Sequence, residues 1–140
     1  MGKTKVVVAL TLLLLVVTGC GGGSSSLSRD GANIVLEEAY LEPDPNFRDR
    51  TDLVVVLKNI GQRAAVEVGG WLYFLDAGGK QIGWSQKLPS PASSNRYWGP
   101  GWAIEERYAP PDDLHSIEVF VYWDNASGVG GGSYSLKTTL

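Results

Sequence analysis

Cysteine, histidine and methionine each occur once in this chain of 140 residues, as Cys20, His115 and Met1. A single cysteine excludes an internal disulfide, and one histidine with one methionine leaves no ligand set for a His- or Met-based metal site. Positive charge is scarce as well, with 12 Lys plus Arg against 15 Asp plus Glu. That balance provides no basic footprint for nucleic acid. Only one long apolar run exists, the twelve residues Val6 to Val17, interrupted by Thr11 alone. As a helix it would rise roughly 18 Å, well short of the roughly 30 Å of hydrocarbon in a bilayer, so it does not suit a transmembrane span. No stretch carries a capped apolar stripe of helical period, and seven prolines between Pro43 and Pro111 punctuate the rest. Helices are expected to be few or none.

What is present begins with an address. Lys3 and Lys5 precede the apolar run, and Val17, Thr18, Gly19 and Cys20 follow it. Positive charge, apolar run and small residues in that order form a secretory signal pattern. With the terminal cysteine, the segment resembles the lipobox of bacterial lipoproteins. The resemblance implies a signal peptidase that recognises Val17, Thr18 and Gly19 and cuts before Cys20, whose thiol takes a diacylglycerol. N-myristoylation of Gly2 does not fit, because position 6 is Val6 rather than Ser or Thr. One acyl chain binds a membrane only marginally, at about 0.8 kcal/mol per buried methylene, so two or more chains on Cys20 are expected to anchor durably.

Residues 1–19 are thus read as a lipoprotein signal peptide and residues 20–32 as lipidated cysteine and flexible linker, with Gly21 to Ser28 supplying the Gly/Ser leash. Removing Lys3 and Lys5 moves the formal charge from −3 to −5. The fatty chains, not a polybasic patch, then hold the domain to the membrane. The expected location is extracytoplasmic, on the outer membrane in a two-membrane envelope, since Gly21 stands where enteric lipoproteins retained at the inner membrane carry Asp.

From Ile34 onward, short runs rich in Val, Ile, Leu, Tyr and Trp alternate with clusters of Gly, Pro, Asn and Asp. That punctuation predicts strands over 33–41, 52–59, 65–75, 81–88, 102–108 and 116–124, with a weaker seventh over 133–138. A period of two places Leu53, Val55 and Leu57 on one face, and Ile117, Val119, Val121 and Trp123 on another. In the third run Leu72 and Phe74 alternate with Trp71, Tyr73 and Leu75, and the pattern does not choose the inner face. Two turns are expected to join antiparallel neighbours. Asn59-Ile60-Gly61-Gln62 offers a side chain for turn amides and a glycine for positive φ, and Asp76 to Lys80 holds a glycine pair. Gly69 and Gly70 within a strand predict a bulge or a close backbone approach. Gly128, Gly130, Gly131 and Gly132 read as a linker, not a phosphate loop. The domain is expected over 33–125, with 126–140 a Gly-rich C-terminal segment that could hold a last strand. The fold class is all-β, an antiparallel β-sandwich of 6–7 strands.

Two segments then suggest a family. Val54-Val55-Val56-Leu57-Lys58-Asn59-Ile60-Gly61, followed by Leu72-Tyr73-Phe74-Leu75-Asp76 and the Gly78-Gly79-Lys80 hairpin, resembles the immunoglobulin-like FxLYD-type envelope domains. In this sequence Leu72, Phe74 and Leu75 stand for the Phe, Leu and Tyr of that pattern. The resemblance covers about thirty residues and implies an immunoglobulin-like sandwich outside the cytoplasm. It carries little about function.

Chemistry is sparsely provided for. His115 and Ser116 are neighbours in a strand and point apart, as do the carboxylates of Glu37-Glu38 and Glu105-Glu106. Asp112-Asp113 lacks the spacing of a calcium loop, and Asn125-Ala126-Ser127 matches a glycosylation sequon only by accident behind a bacterial leader. No catalytic residue, cofactor or metal is expected, and the chain is read as a non-enzyme. The most unusual stretch is Asn95 to Trp102, which holds Arg96, Tyr97, Trp98 and Trp102. Exposed, the three rings would form a platform for a sugar or a partner protein with Arg96 as a polar handle. Buried, they would plug the open end of the sandwich. The expected function is a non-catalytic, lipid-anchored interaction module of the cell envelope with a protein partner. The alternative is a carbohydrate-binding module that uses the aromatic loop on peptidoglycan or exported glycan.

Overall fold

The computed structural model describes residues 30–90 and 96–140. The signal segment, Val17 to Cys20 and the Gly/Ser stretch lie outside those residues, as does Asn95. Seven strands follow in chain order: β1 (Ile34–Pro43), β2 (Thr51–Asn59), β3 (Ala65–Leu75), β4 (Gln86–Lys87), β5 (Ala103–Tyr108), β6 (Ser116–Asn125) and β7 (Gly131–Thr139). They form a three-stranded sheet of order β1-β2-β5 and a four-stranded sheet of order β4-β3-β6-β7, with every strand pair antiparallel. Among the described residues there is no helix. The architecture is an immunoglobulin-like sandwich in which the fourth strand lies beside the third instead of joining the other sheet.

Alternation along the strands builds the core. Leu53, Val55 and Leu57 from β2 meet Ile117, Val119, Val121 and Trp123 from β6, all buried between the sheets. On β3 the inner face is the one carrying Val68, Leu72 and Phe74, and Trp71 and Tyr73 turn outward. Period-two burial follows because successive side chains in a strand leave on opposite faces.

Three local expectations change. The run over 81–88 gives only the two residues of β4, since Gly83 at φ 68° takes the chain out of extended geometry. Ile82 N still donates to Phe74 O at 2.9 Å, but the ladder resumes only at Gln86. Trp84 is looped outward and is 88% exposed. The glycines after Asn125 are not a linker: Gly128 and Gly130, with φ 75° and 73°, turn a hairpin, and Gly131 and Gly132 open β7. β7 pairs with β6 along nine positions and sends Tyr134 into the core. The 126–140 segment therefore supplies the turn and the last strand of the sandwich, as its sequence allowed.

The Asn59 turn is also different from a hairpin, because it carries the chain from one sheet to the other. Gly61 is required there by a close approach and not by its φ: a Cβ would lie 2.2 Å from Gly31 O and 2.7 Å from Asn33 N. The Asp76 turn does reverse the chain beside β3, with Asp76 Oδ1 accepting from Gly78 N and Lys80 N at 2.9 Å each. The bulge expected at the paired glycines is present as a register shift between Val66 and Gly69, with Glu67 at φ 50°. Gly70 is the close approach, since a Cβ there would fall 1.9 Å from Phe120 O.

Candidate functional site

The aromatic loop divides into a plug and a rim. Trp98 is fully buried, whereas Tyr97 is 65% and Trp102 44% exposed, and Arg96 is exposed beside them. Trp98 thus leaves the set of candidate ligand-binding residues. Its backbone exchanges hydrogen bonds with Ala65, at 2.9 and 3.0 Å, which pulls its ring into the core. A large apolar ring is stabilised by that burial, and the sandwich end needs a filler of this size. Trp123 closes the same end, its Nε1 donating to Ala32 O at 2.9 Å.

Asn59 organises this end. Its buried Oδ1 accepts from Asn33 N at 3.0 Å and Gly61 N at 2.9 Å, and its Nδ2 donates to Arg63 O and Trp98 O at 2.8 Å each. All four bonds go to backbone groups, and the enclosed Asn33 N depends on this side chain most, since Trp98 O also accepts from Ala65 N. Asn125 repeats the device, with Oδ1 accepting from Ala32 N and Nδ2 donating to Val129 O.

A second aromatic group lies on the outer face of the four-stranded sheet. Trp71 on β3 is the register partner of Phe120 on β6, and Tyr122 stands opposite Gly69. The Phe120 and Tyr122 rings are 6.1 Å apart and tilted by 44°. The Tyr122 ring lies across Gly69, where a Cβ would come 2.6 Å from its hydroxyl. Trp71, Phe120 and Tyr122 are all exposed, with Tyr73 half-buried next to them. Polar neighbours border the patch in register: Lys87 beside Trp71, Ser135 beside Phe120, Ser133 beside Tyr122, and Glu118 with Lys137 in the next row. Sequence reasoning did not select this patch. Its signal was available, because aromatics at 71, 73, 120 and 122 alternate with the aliphatic core positions of the same strands.

The outer face of the three-stranded sheet is charged instead. Arg107 Nη2 donates to Glu42 Oε2 at 2.9 Å and lies 3.1 Å from Glu105, with Asp52 3.7 Å from Nη1. The hydrogen bond to Glu42 holds the Arg107 guanidinium above its ordinary pKa. Partial desolvation, and then Glu105, raise the Tyr40 phenol. Lys58 Nζ pairs with Glu37 at 2.6 Å.

The opposite end of the sandwich carries a cleft of about 410 Å³ between the β1–β2 and β5–β6 connections, lined by Leu41, Asp49, Arg50, Pro110, Asp112 and Leu114 among others. Arg50 also sits 5.3 Å from the Phe47 ring centre. His115 is exposed and Ser116 is buried, so the two do not meet as base and nucleophile. Glu105 turns to Arg107, and Glu106 accepts from Ser90 N at 3.0 Å. Among the described residues, no group of three or more His, Cys, Asp or Glu side chains is placed to hold a metal ion.

No family model matches the chain, and no curated protein matches it. Among the solved structures to which the chain is similar is one described as the X-ray structure of Northeast Structural Genomics Consortium target SoR45. The TM-score is 0.50 at 12% sequence identity, over 79% of this chain and 86% of that chain. At such low identity the likeness bears on the fold alone, and it agrees with an all-β sandwich.

Proposed function

We propose that this chain is a non-catalytic, lipid-anchored protein of the bacterial cell envelope, related to the FxLYD-type domains, that binds an envelope protein through the outer face of its four-stranded sheet. The observation that carries this reading is the Trp71, Phe120 and Tyr122 group with its rim of serines and opposite charges. Protein interfaces concentrate aromatic rings at the centre and polar groups at the border. A sugar platform calls for rings lying flat to one ligand plane, and the 44° tilt between Phe120 and Tyr122 fits a side-chain-lined partner better.

The test is site-specific photocrosslinking in living cells, with a benzophenone amino acid placed at Tyr122 or, as a control, at Glu105 on the other sheet. A protein adduct of discrete mass from position 122 and none from 105 supports the reading. Equal labelling from both positions contradicts it. A shift of tryptophan fluorescence with soluble envelope glycans, without any protein adduct, would move the assignment to the carbohydrate-binding alternative.

A further inference from the structure

The described chain emerges from the sandwich at Asp30, at the end plugged by Trp98 and Trp123. Four exposed apolar side chains gather at that same end: Ile60 in the β2–β3 turn, Tyr97 and Trp102 before β5, and Val129 at the tip of the β6–β7 hairpin. Backbone contacts join these loops into one surface. Asn59 N donates to Trp102 O at 2.9 Å, Ile60 N to Asn33 O at 2.9 Å, and Gln62 N to Gly31 O at 3.1 Å. Asn125 ties the Val129 hairpin to Ala32. We infer that this end of the domain seats directly on the lipid bilayer, with Ile60, Tyr97, Trp102 and Val129 entering the headgroup region.

The inference rests on the proposed lipid anchor at Cys20 and fixes the orientation that anchor produces. Cys20 and Asp30 are ten residues apart in sequence, a separation of at most ~36 Å when fully extended. The ten-residue strand β1 alone spans roughly 33 Å, so seating the cleft end on the membrane would require nearly all of that reach. The plugged end needs almost none of it. Tyrosine and tryptophan are the residues that favour a membrane interface, because an apolar ring carries a polar tip. Insertion into a poorly hydrated region penalises bare backbone groups, and at this end Asn59 and Asn125 bond them internally. Charge does not drive the contact: Arg63 and Arg96 are exposed there, but so are Asp30, Glu67 and Asp124. Seated in this way, the Trp71 and Tyr122 face stands clear of the lipid for a partner, and the cleft points away from the membrane.

The experiment uses the full mature protein purified from membranes and reconstituted into phosphatidylcholine vesicles that carry bromine high on the acyl chains. Bromine quenches only tryptophans near it. The wild-type protein is expected to lose at least twice as much fluorescence as the Trp102→Phe variant, with Trp71→Phe matching wild type. Unchanged quenching in Trp102→Phe, or quenching removed by Trp71→Phe, overturns end-on seating. Intact mass of the same sample separates the two failures. A diacylated Cys20 with unquenched Trp102 removes the seating alone, and an unmodified Cys20 removes the anchor and the seating together. Because phenylalanine keeps an aromatic side chain at these exposed positions, equal thermal midpoints should verify that each variant is folded.

Discussion

Replacing Asn59 by alanine should cost more than any surface substitution in this domain. The side chain is fully buried and makes four hydrogen bonds to backbone. Without it, the enclosed Asn33 N loses its partner at about 2 kcal/mol, within the range for a stranded buried donor. Trp98 O keeps the bond from Ala65 N and should lose about 1 kcal/mol. Arg63 O and Gly61 N are closer to water, and rehydration limits their loss to roughly 0.5 kcal/mol each. The sum is about 4 kcal/mol, a large part of the roughly 5–15 kcal/mol that holds a domain folded. With a urea slope of about 1.5 kcal/mol per molar, the unfolding midpoint should fall by roughly 2–3 M. Asn59→Asp refines the test. It retains both acceptor bonds but turns a carboxylate toward Arg63 O and Trp98 O. Burial and those carbonyls raise its folded pKa above the unfolded value, so its penalty should shrink as pH falls from neutrality and the proton restores a donor. A midpoint shift below about 0.5 M for Asn59→Ala, or a penalty for Asn59→Asp that does not change with pH, would mean that the Asn59 bonds do not hold this end of the sandwich.

Trp98→Ala should cost about 3–5 kcal/mol in the same urea titration, against less than about 1 kcal/mol for the half-exposed Trp102→Ala; equal costs would contradict the division into plug and rim. Gly70→Ala should lower stability by at least about 3 kcal/mol, because the new methyl meets the backbone carbonyl of Phe120 at 1.9 Å and a strand ladder cannot yield as a side chain can. Alkaline unfolding should be steep. Burial pushes the Tyr134 phenol up to about 12, so its stabilisation is complete below pH 10 and is lost as pH rises from 10 through 12, at up to about 1.4 kcal/mol per pH unit. Tyr108, also raised by burial and then by Glu106, acts in the same direction. Tyr134→Phe should flatten this dependence in a series of urea midpoints.

Much of the fold was legible because burial imposes period two. The grouping of Leu53, Val55 and Leu57 on β2 and of Ile117, Val119, Val121 and Trp123 on β6 follows from spacing, but both faces of these strands carry apolar residues and the packing decides which set lies between the sheets. The Gly69-Gly70 pair could be read as an irregularity before its cause was visible. The β4 run misled for the same reason. Ile82, Trp84 and Leu88 fall at even spacing, and nothing local reveals that Gly83 adopts a positive φ and throws Trp84 into solvent. Asn59 was readable as a turn residue, but its long-range bonds to Asn33 and Trp98 depend on chain segments 26 and 39 residues away. The glycines before β7 looked like a linker, because hairpin glycines and spacer glycines have the same composition. Of the candidate site, the spacing of Arg96, Tyr97, Trp98 and Trp102 marked an unusual loop without telling which ring fills the core. The Trp71, Phe120 and Tyr122 patch needs the β3–β6 register, which no single strand contains.

The proposed lipid on Cys20, which would tether the sandwich to an envelope membrane, is open to direct measurement. Mass spectrometry of the protein isolated from its native membranes tests it most directly. The expected product is a chain that starts at Cys20 and bears a diacylglyceryl group on the thiol. A product that retains residues 1–19 with a free thiol would contradict it.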